Sequence, residues 1–184
     1  MRRGFPLAYP GMKIGLYGGT FDPAHEGHAH VAETALKRLG LDGVWWLATP
    51  QNPLKPQSAP LAQRMASARR FARGARMVVT DIETRIGARY TFETLRALKK
   101  HYPGVSFTFV MGADSLLQFR QWRRWREVAQ SVPIAVVSRP GVPLKARAAM
   151  PRGWIFLNAR HHSQSSSALR AARLSSVAEP GRRW

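Results

Sequence analysis

From Met12 onward, short apolar runs alternate with segments of helical period, and few features constrain a fold more: this is the pattern of a parallel sheet covered by helices. Lys13-Ile14-Gly15-Leu16-Tyr17 reads as a strand ending at Gly18-Gly19. Beyond it His28, Val31, Ala32, Ala35, Leu36 and Leu39 keep the three/four spacing of one helix face, with Gly40 where a helix stops. Val44-Trp45-Trp46-Leu47-Ala48 is a second buried strand. Pro50, Pro53, Pro56 and Pro60 then forbid helix or ladder pairing and make residues 50–60 a loop. The pattern predicts a helix from Leu61 to Ala72, a strand at Met77-Val78-Val79, and a helix capped by Thr91 and running to Tyr102. Strands follow at 106–110, 133–137 and 154–157, and a polar turn over 161–167 leads into a helix from about Ser167 to Leu174. The expected architecture is α/β, a doubly wound, mostly parallel sheet with helices on both faces. One domain over residues 12–178 is expected, with an extension at 1–11 and a tail at 179–184.

A length of 184 residues suits one domain, and a 45% hydrophobic share suffices for a core. The charge is lopsided: 29 Lys+Arg against 10 Asp+Glu give a net +19, and 23 of the cations are Arg. Such a balance favours anionic partners, whether nucleotides, nucleic acids or acidic membrane surfaces, and the planar guanidinium fork suits phosphate. With no Cys, disulfide frameworks, Cys-ligated zinc, iron–sulfur clusters and thiol catalysis are excluded. No apolar run approaches the roughly 20 residues that span a bilayer, and Pro6 and Pro10 interrupt the only candidate leader, so a cytoplasmic protein is expected.

The chemistry concentrates in Gly18-Gly19-Thr20-Phe21-Asp22-Pro23-Ala24-His25-Glu26-Gly27-His28, between the first strand and the first helix. Ligands of open α/β sheets bind at this carboxyl end. The glycines admit a phosphate close to the backbone, and the N–H groups of the new helix add partial positive charge. Two imidazoles at i and i+3 place further donors over the same spot, and if protonated would neutralise phosphate charge.

This segment resembles the GxFxPxHxGH signature of the nucleotidylyltransferases, which implies a Rossmann-like fold and, for His25 and His28, stabilisation of the transition state at the α-phosphate of ATP. The second family signature, ISSTxIR, is matched by Gln164-Ser165-Ser166-Ser167-Ala168-Leu169-Arg170, with Gln164 in place of Ile and Ser167 in place of Thr. Ser167 keeps a hydroxyl for a helix cap and a phosphate, and Arg170 keeps a guanidinium for the triphosphate. Gly112-Ala113-Asp114-Ser115-Leu116-Leu117, with Phe119 and Trp122, is similar to the GxDSLxxFxxW element of nicotinate-nucleotide adenylyltransferases, and Arg89-Tyr90-Thr91-Phe92-Glu93-Thr94-Leu95 to their SYTxxTL element.

By this resemblance the catalytic residues are His25, His28 and Arg170. ATP is held by Gly18, Gly19, Thr20, Phe21, His25, His28, Gly112, Asp114, Ser166, Ser167 and Arg170. Nicotinate mononucleotide is held by Lys55 at its phosphate, by Trp122 stacked on the pyridine ring, and by Thr91 and the backbone N–H of Arg123 at the ring carboxylate. Mg²⁺ is expected to arrive on the ATP phosphates, with no metal ligands from the protein. His161 and His162 lie beside the second signature and read as surface residues. Two sister activities share the first signature, with nicotinamide mononucleotide or phosphopantetheine as acceptor. A rival of another class is a single-stranded nucleic-acid-binding protein, using the aromatics interleaved with Arg from Phe119 to Arg126; against it, that stretch belongs to one element and the basic residues elsewhere are spread along the chain. No membrane partner is expected.

Overall fold

The computed structural model describes residues 4–50, 58–138, 150–151 and 153–158. Six strands, β1 (Lys13–Gly19), β2 (Gly43–Ala48), β3 (Met77–Thr80), β4 (Ser106–Gly112), β5 (Ile134–Val137) and β6 (Ile155–Leu157), form one sheet in the order β3-β2-β1-β4-β5-β6. Every pairing is parallel. The chain builds outward from β1 to β3, then returns to lay β4 on the other side of β1. The order therefore reverses between β1 and β4, where a doubly wound sheet opens its ligand crevice.

Strand alternation divides the core between two faces. On one, Ile14, Leu16, Trp45, Leu47, Phe107, Phe109, Ile134 and Val136 meet Leu95 and Leu98 of α4 (Thr91–His101) and Val128 of α6 (Trp125–Ser131). On the other, Tyr17, Val44, Trp46, Val110 and Val137 meet Val31, Ala32 and Ala35 of α1 (Glu26–Arg38) and Met65 and Ala68 of α2 (Leu61–Phe71). Helices thus cover both faces, as expected of strands that are apolar throughout. No helix among the described residues is long and apolar enough to cross a membrane.

The strand and helix pattern predicted from the sequence is present, with local corrections. β1 runs through Gly18 and Gly19, which pair with Leu47 and Ala48 instead of forming the turn. Thr91 is the first helical residue of α4 and not its cap: Tyr90 caps, and Glu93 reaches back to accept from the backbone N–H groups of Arg89 and Tyr90 at 2.8 and 3.1 Å. Two single-turn helices, α3 (Ile82–Arg85) and α5 (Ala113–Leu116), were not expected. The Phe119–Arg126 stretch, which reads as one element, is instead a 3₁₀ turn at Phe119–Gln121 and the start of α6, separated by a break where Arg124 is left-handed at φ 51°. The polar turn at 161–167 and the helix after it lie outside the described residues.

Residues ahead of β1 lie against the domain. The Tyr102 hydroxyl donates to the Pro6 carbonyl at 2.8 Å, Gly11 N–H donates to the Gly104 carbonyl at 2.8 Å, and the Phe5 ring sits 4.6 Å from that of His101.

Candidate active site

The turn from β1 into α1 stands beside the order reversal. Phe21 adopts a left-handed φ of 52° and folds its ring back under the strand end, where a Cβ on residue 19 would come within 2.7 Å of it. Gly19 is therefore required by the ring of Phe21. His25 is the N-cap of α1: its Nδ1 accepts from Gly27 N–H at 3.0 Å, while its own N–H donates to Nδ1 of His28 at 3.2 Å. This reciprocal box uses two imidazoles where most helices use a hydroxyl and a carboxylate. An imidazole that accepts at Nδ1 has Nε2 left as its donor, so this arrangement turns the Nε2 edge of each ring toward donation.

The two ring centroids lie 3.9 Å apart. His28 is braced edge-on by Phe21 at 5.2 Å, with Tyr17 and Trp46 behind it at 6.3 and 6.5 Å. Only 1% of His25 and 8% of His28 is exposed. Capping draws both rings back onto the helix end, so they are less open at the mouth than their position suggested, in surroundings where water screens little.

Sequence reasoning missed the residue beneath this turn. Arg64 of α2 is 2% exposed and donates four hydrogen bonds to backbone carbonyls: to Thr20 and Thr49 at 2.8 Å through one terminal nitrogen, to Pro50 at 2.8 Å through the other, and to Ala59 at 2.7 Å through Nε. Burial pulls its pKa below the usual guanidinium value, and the charge of Asp22 opposes that fall. Asp22 in turn accepts from Ala59 N–H at 3.2 Å. Only the period of α2 was legible in the sequence, and it cannot say that three chain segments converge on one helix face.

Across the crevice, Gly112 ends β4 and caps α5, which carries Asp114 exposed in its first turn. The half-buried Trp122 packs edge-on to Phe109 at 5.8 Å and against Phe119 at 5.2 Å. The Arg123 guanidinium lies 5.1 Å over Tyr90, and that of Arg124 4.9 Å over Phe92. The fold thus brings the Tyr90-Thr91 segment beside Trp122-Arg123, although about 30 residues part them in the chain. Arg120 and Arg126 lie over Trp125 at 6.0 and 4.6 Å. Within the Phe119–Arg126 stretch, Trp125 is therefore met by the protein's own arginines.

Glu83, also unanticipated, is buried below the α4 N-terminus and accepts from the Thr94 hydroxyl at 2.9 Å. Burial pushes its pKa up to about 7, against the opposing hydrogen bonds of Thr94 and Thr49. Lys55, His161, His162, Gln164, Ser166, Ser167 and Arg170 lie outside the described residues.

A turn carrying two capped imidazoles, set at the order reversal of a parallel sheet, gives the chain the character of a nucleotidylyltransferase. Residues 16–172 match the model of the cytidylyltransferase-like family. A probable nicotinate-nucleotide adenylyltransferase of Roseobacter denitrificans is 49% identical over 195 residues, which cover 93% of this chain and 98% of that one. One from a Caulobacter species is 55% identical over 160 residues, covering 86% and 84%. The chain belongs to the cytidylyltransferase-like family and, within it, to the nicotinate-nucleotide adenylyltransferases. At the level of fold it also matches the Plasmodium falciparum nicotinic acid mononucleotide adenylyltransferase solved in complex with NaAD, with a TM-score of 0.72 at 17% identity over 87% of this chain and 83% of that one.

Proposed function

We propose that this protein transfers the adenylyl group of ATP to nicotinate mononucleotide, yielding nicotinate adenine dinucleotide and pyrophosphate in NAD biosynthesis. The acceptor's 5′-phosphate oxygen attacks the α-phosphorus in line, the bond to the bridging oxygen of pyrophosphate breaks, and no covalent intermediate forms. The nucleophile is already ionised at neutral pH, so the difficulty is bringing two polyanions together; positioning and charge stabilisation carry the rate.

The observation that carries this reading is the pair of Nε2–H donors fixed by reciprocal caps at the N-terminus of α1. They donate to the non-bridging oxygens of the α-phosphate, above Gly18, Gly19, Thr20 and Phe21. Gly112 and Asp114 face the adenosine side, and Ser166, Ser167 and Arg170 meet the triphosphate. Lys55 holds the acceptor phosphate, Trp122 stacks on the pyridine ring, and Thr91 with the backbone N–H of Arg123 takes the ring carboxylate. The guanidinium of Arg123, held over Tyr90, adds positive charge on that side and favours a nicotinate over a nicotinamide ring.

Mg²⁺ fits this scheme as a passenger of ATP. Imidazole N–H and backbone N–H groups suit phosphate oxygens rather than a hard cation, and no group of three His, Asp or Glu among the described residues could hold one. When bound, the ion screens the phosphate charge. One catalytic domain over residues 12–178, with an extension at 1–11 and a tail at 179–184, works in the cytoplasm.

Pyrophosphate release from ATP, followed in parallel with nicotinate mononucleotide, nicotinamide mononucleotide and phosphopantetheine, tests the assignment. Turnover with the first is expected to exceed that with the others, and a preference for either of the others overturns it. His28→Ala should lower kcat by roughly 10²–10³, the scale on which removing one preorganised donor acts.

A further inference from the structure

α2 touches the catalytic turn at both ends. Arg64 takes the Thr20 carbonyl at 2.8 Å, and three residues on, Ser67 Oγ accepts from Ala24 N–H at 3.1 Å. Residues at i and i+3 share a helix face, so one face of α2 grips the two ends of a five-residue loop. The same guanidinium also holds the carbonyls of Thr49 and Pro50, just beyond the carboxyl end of β2. A carbonyl oxygen aimed at a triphosphate would repel it. Here three carbonyl dipoles are turned down onto one buried cation, below the surface that the helix N–H groups and the imidazoles present.

We propose that Arg64 and Ser67 are positioning residues for adenylyl transfer: the α2 face they share braces Thr20 and Ala24, and so holds His25 and His28 in their capped, Nε2–H geometry. The role rests on the adenylyl-transfer reading above. It predicts an effect on the chemical step, because the histidines are placed for the α-phosphate. Ser67, which touches the turn at Ala24, should leave mononucleotide binding little changed, whereas Arg64 also holds Thr49, Pro50 and Ala59, at the two ends of the loop that carries Lys55, and so bears on the acceptor phosphate as well. It also explains the choice of Arg. A fork of five donors serves four carbonyls at fixed angles, whereas an ammonium has three rotatable donors on a single atom.

The test compares Arg64→Lys and Ser67→Ala with Arg70→Lys, an exposed position on the same helix, by steady-state kinetics in both substrates and by ¹⁵N shifts of the two imidazoles in the ligand-free protein. R64K is expected to lower kcat roughly 10- to 100-fold, the cost of a small misplacement of reacting groups, and to raise the KM for nicotinate mononucleotide as well; S67A should lower kcat roughly 3- to 10-fold with that KM within about twofold of wild type. Both should move His25 or His28 from a single Nε2–H tautomer toward a mixture, and R70K should do neither. Folded R64K and S67A proteins with wild-type kcat and unchanged imidazole shifts overturn the brace. If R64K does not fold, S67A decides alone by the same two readouts. Wild-type protein that shows Nε2–H imidazoles sensitive to S67A yet no turnover with the mononucleotide overturns the functional reading and leaves the brace standing.

Discussion

Two buried ionisable residues do work that their neighbours in the chain do not announce. Arg64 is matched chiefly by backbone dipoles, and Glu83 by threonine hydroxyls, so each is tuned by burial. For Glu83 the consequence is measurable. Its pKa rises from 4.5 in the open chain to about 7 in the folded protein. Between those values the native state holds a proton that the unfolded state has lost, so stability falls as pH rises through the interval. Its contribution is intact below the lower value and gone above the upper. At 1.36 kcal/mol per unit, Glu83→Gln, which stays neutral and keeps an acceptor for Thr94, should gain about 2–3 kcal/mol relative to wild type between about pH 5 and about pH 8. Urea unfolding of both proteins at the two pH values reads this directly, and parallel behaviour would mean that Glu83 ionises freely. His25 and His28 illustrate the other case: their identity and spacing were legible in the sequence, but the orientation of their rings became visible only when each Nδ1 proved to be the partner of a backbone N–H.

Among elements, legibility followed the range of the forces that set each one. The strands and long helices of the sheet were readable because period-2 and period-3.6 patterns record which face is buried. The break at 122–124 was not. No glycine or proline marks it, since the residue that turns left-handed is Arg124, held by its stack on Phe92 and by an ion pair with Glu127 at 3.6 Å. A non-glycine residue in that conformation costs about 1–2 kcal/mol, so contacts with α4, distant in sequence, must offset it. The one-residue shift of the α4 cap has a similar origin in Glu93, whose carboxylate takes the N–H groups of Arg89 and Tyr90 and leaves Thr91 inside the helix. Because the Arg124 contacts tie the Trp122 loop to the first turn of α4, Arg124→Gly separates local strain from function. Relief of strain should keep global stability within about 1 kcal/mol of wild type. Loss of the tie should raise the KM for nicotinate mononucleotide roughly 3- to 10-fold while leaving that for ATP nearly unchanged. An effect falling on ATP alone would place the loop on the other side of the crevice.

At the scale of the molecule, catalysis and anchorage are separated along the sheet. The two histidines, Gly112 and the Thr91 segment gather at the carboxyl ends of the strands, whereas the chain ahead of β1 is pinned near the amino end of β4, at Tyr102 and Gly104. Phe5 and Ala8 pack on the core there, and burial beneath the segment pushes the Tyr102 phenol up from its usual pKa. The segment should therefore contribute to stability and not to turnover. Deleting residues 2–10 removes the Tyr102–Pro6 hydrogen bond, worth about 1 kcal/mol net, the local bonds between Tyr9 and Met12, and the partial burial of an aromatic ring, worth about 1–2 kcal/mol. For a chain of this size that corresponds to a Tm lower by about 5–10 °C. The truncated protein should keep kcat and both KM values within about twofold of wild type, and ultraviolet titration should find the Tyr102 phenol ionising at lower pH than in the full chain. A large loss of activity without a loss of Tm would show that the start of the segment, where Gly4, Phe5 and Pro6 line a cavity with Thr80, Asp81 and Arg85 at the carboxyl end of β3, serves the crevice, whereas the expected pair of results would assign the segment to holding α4 and β4 together.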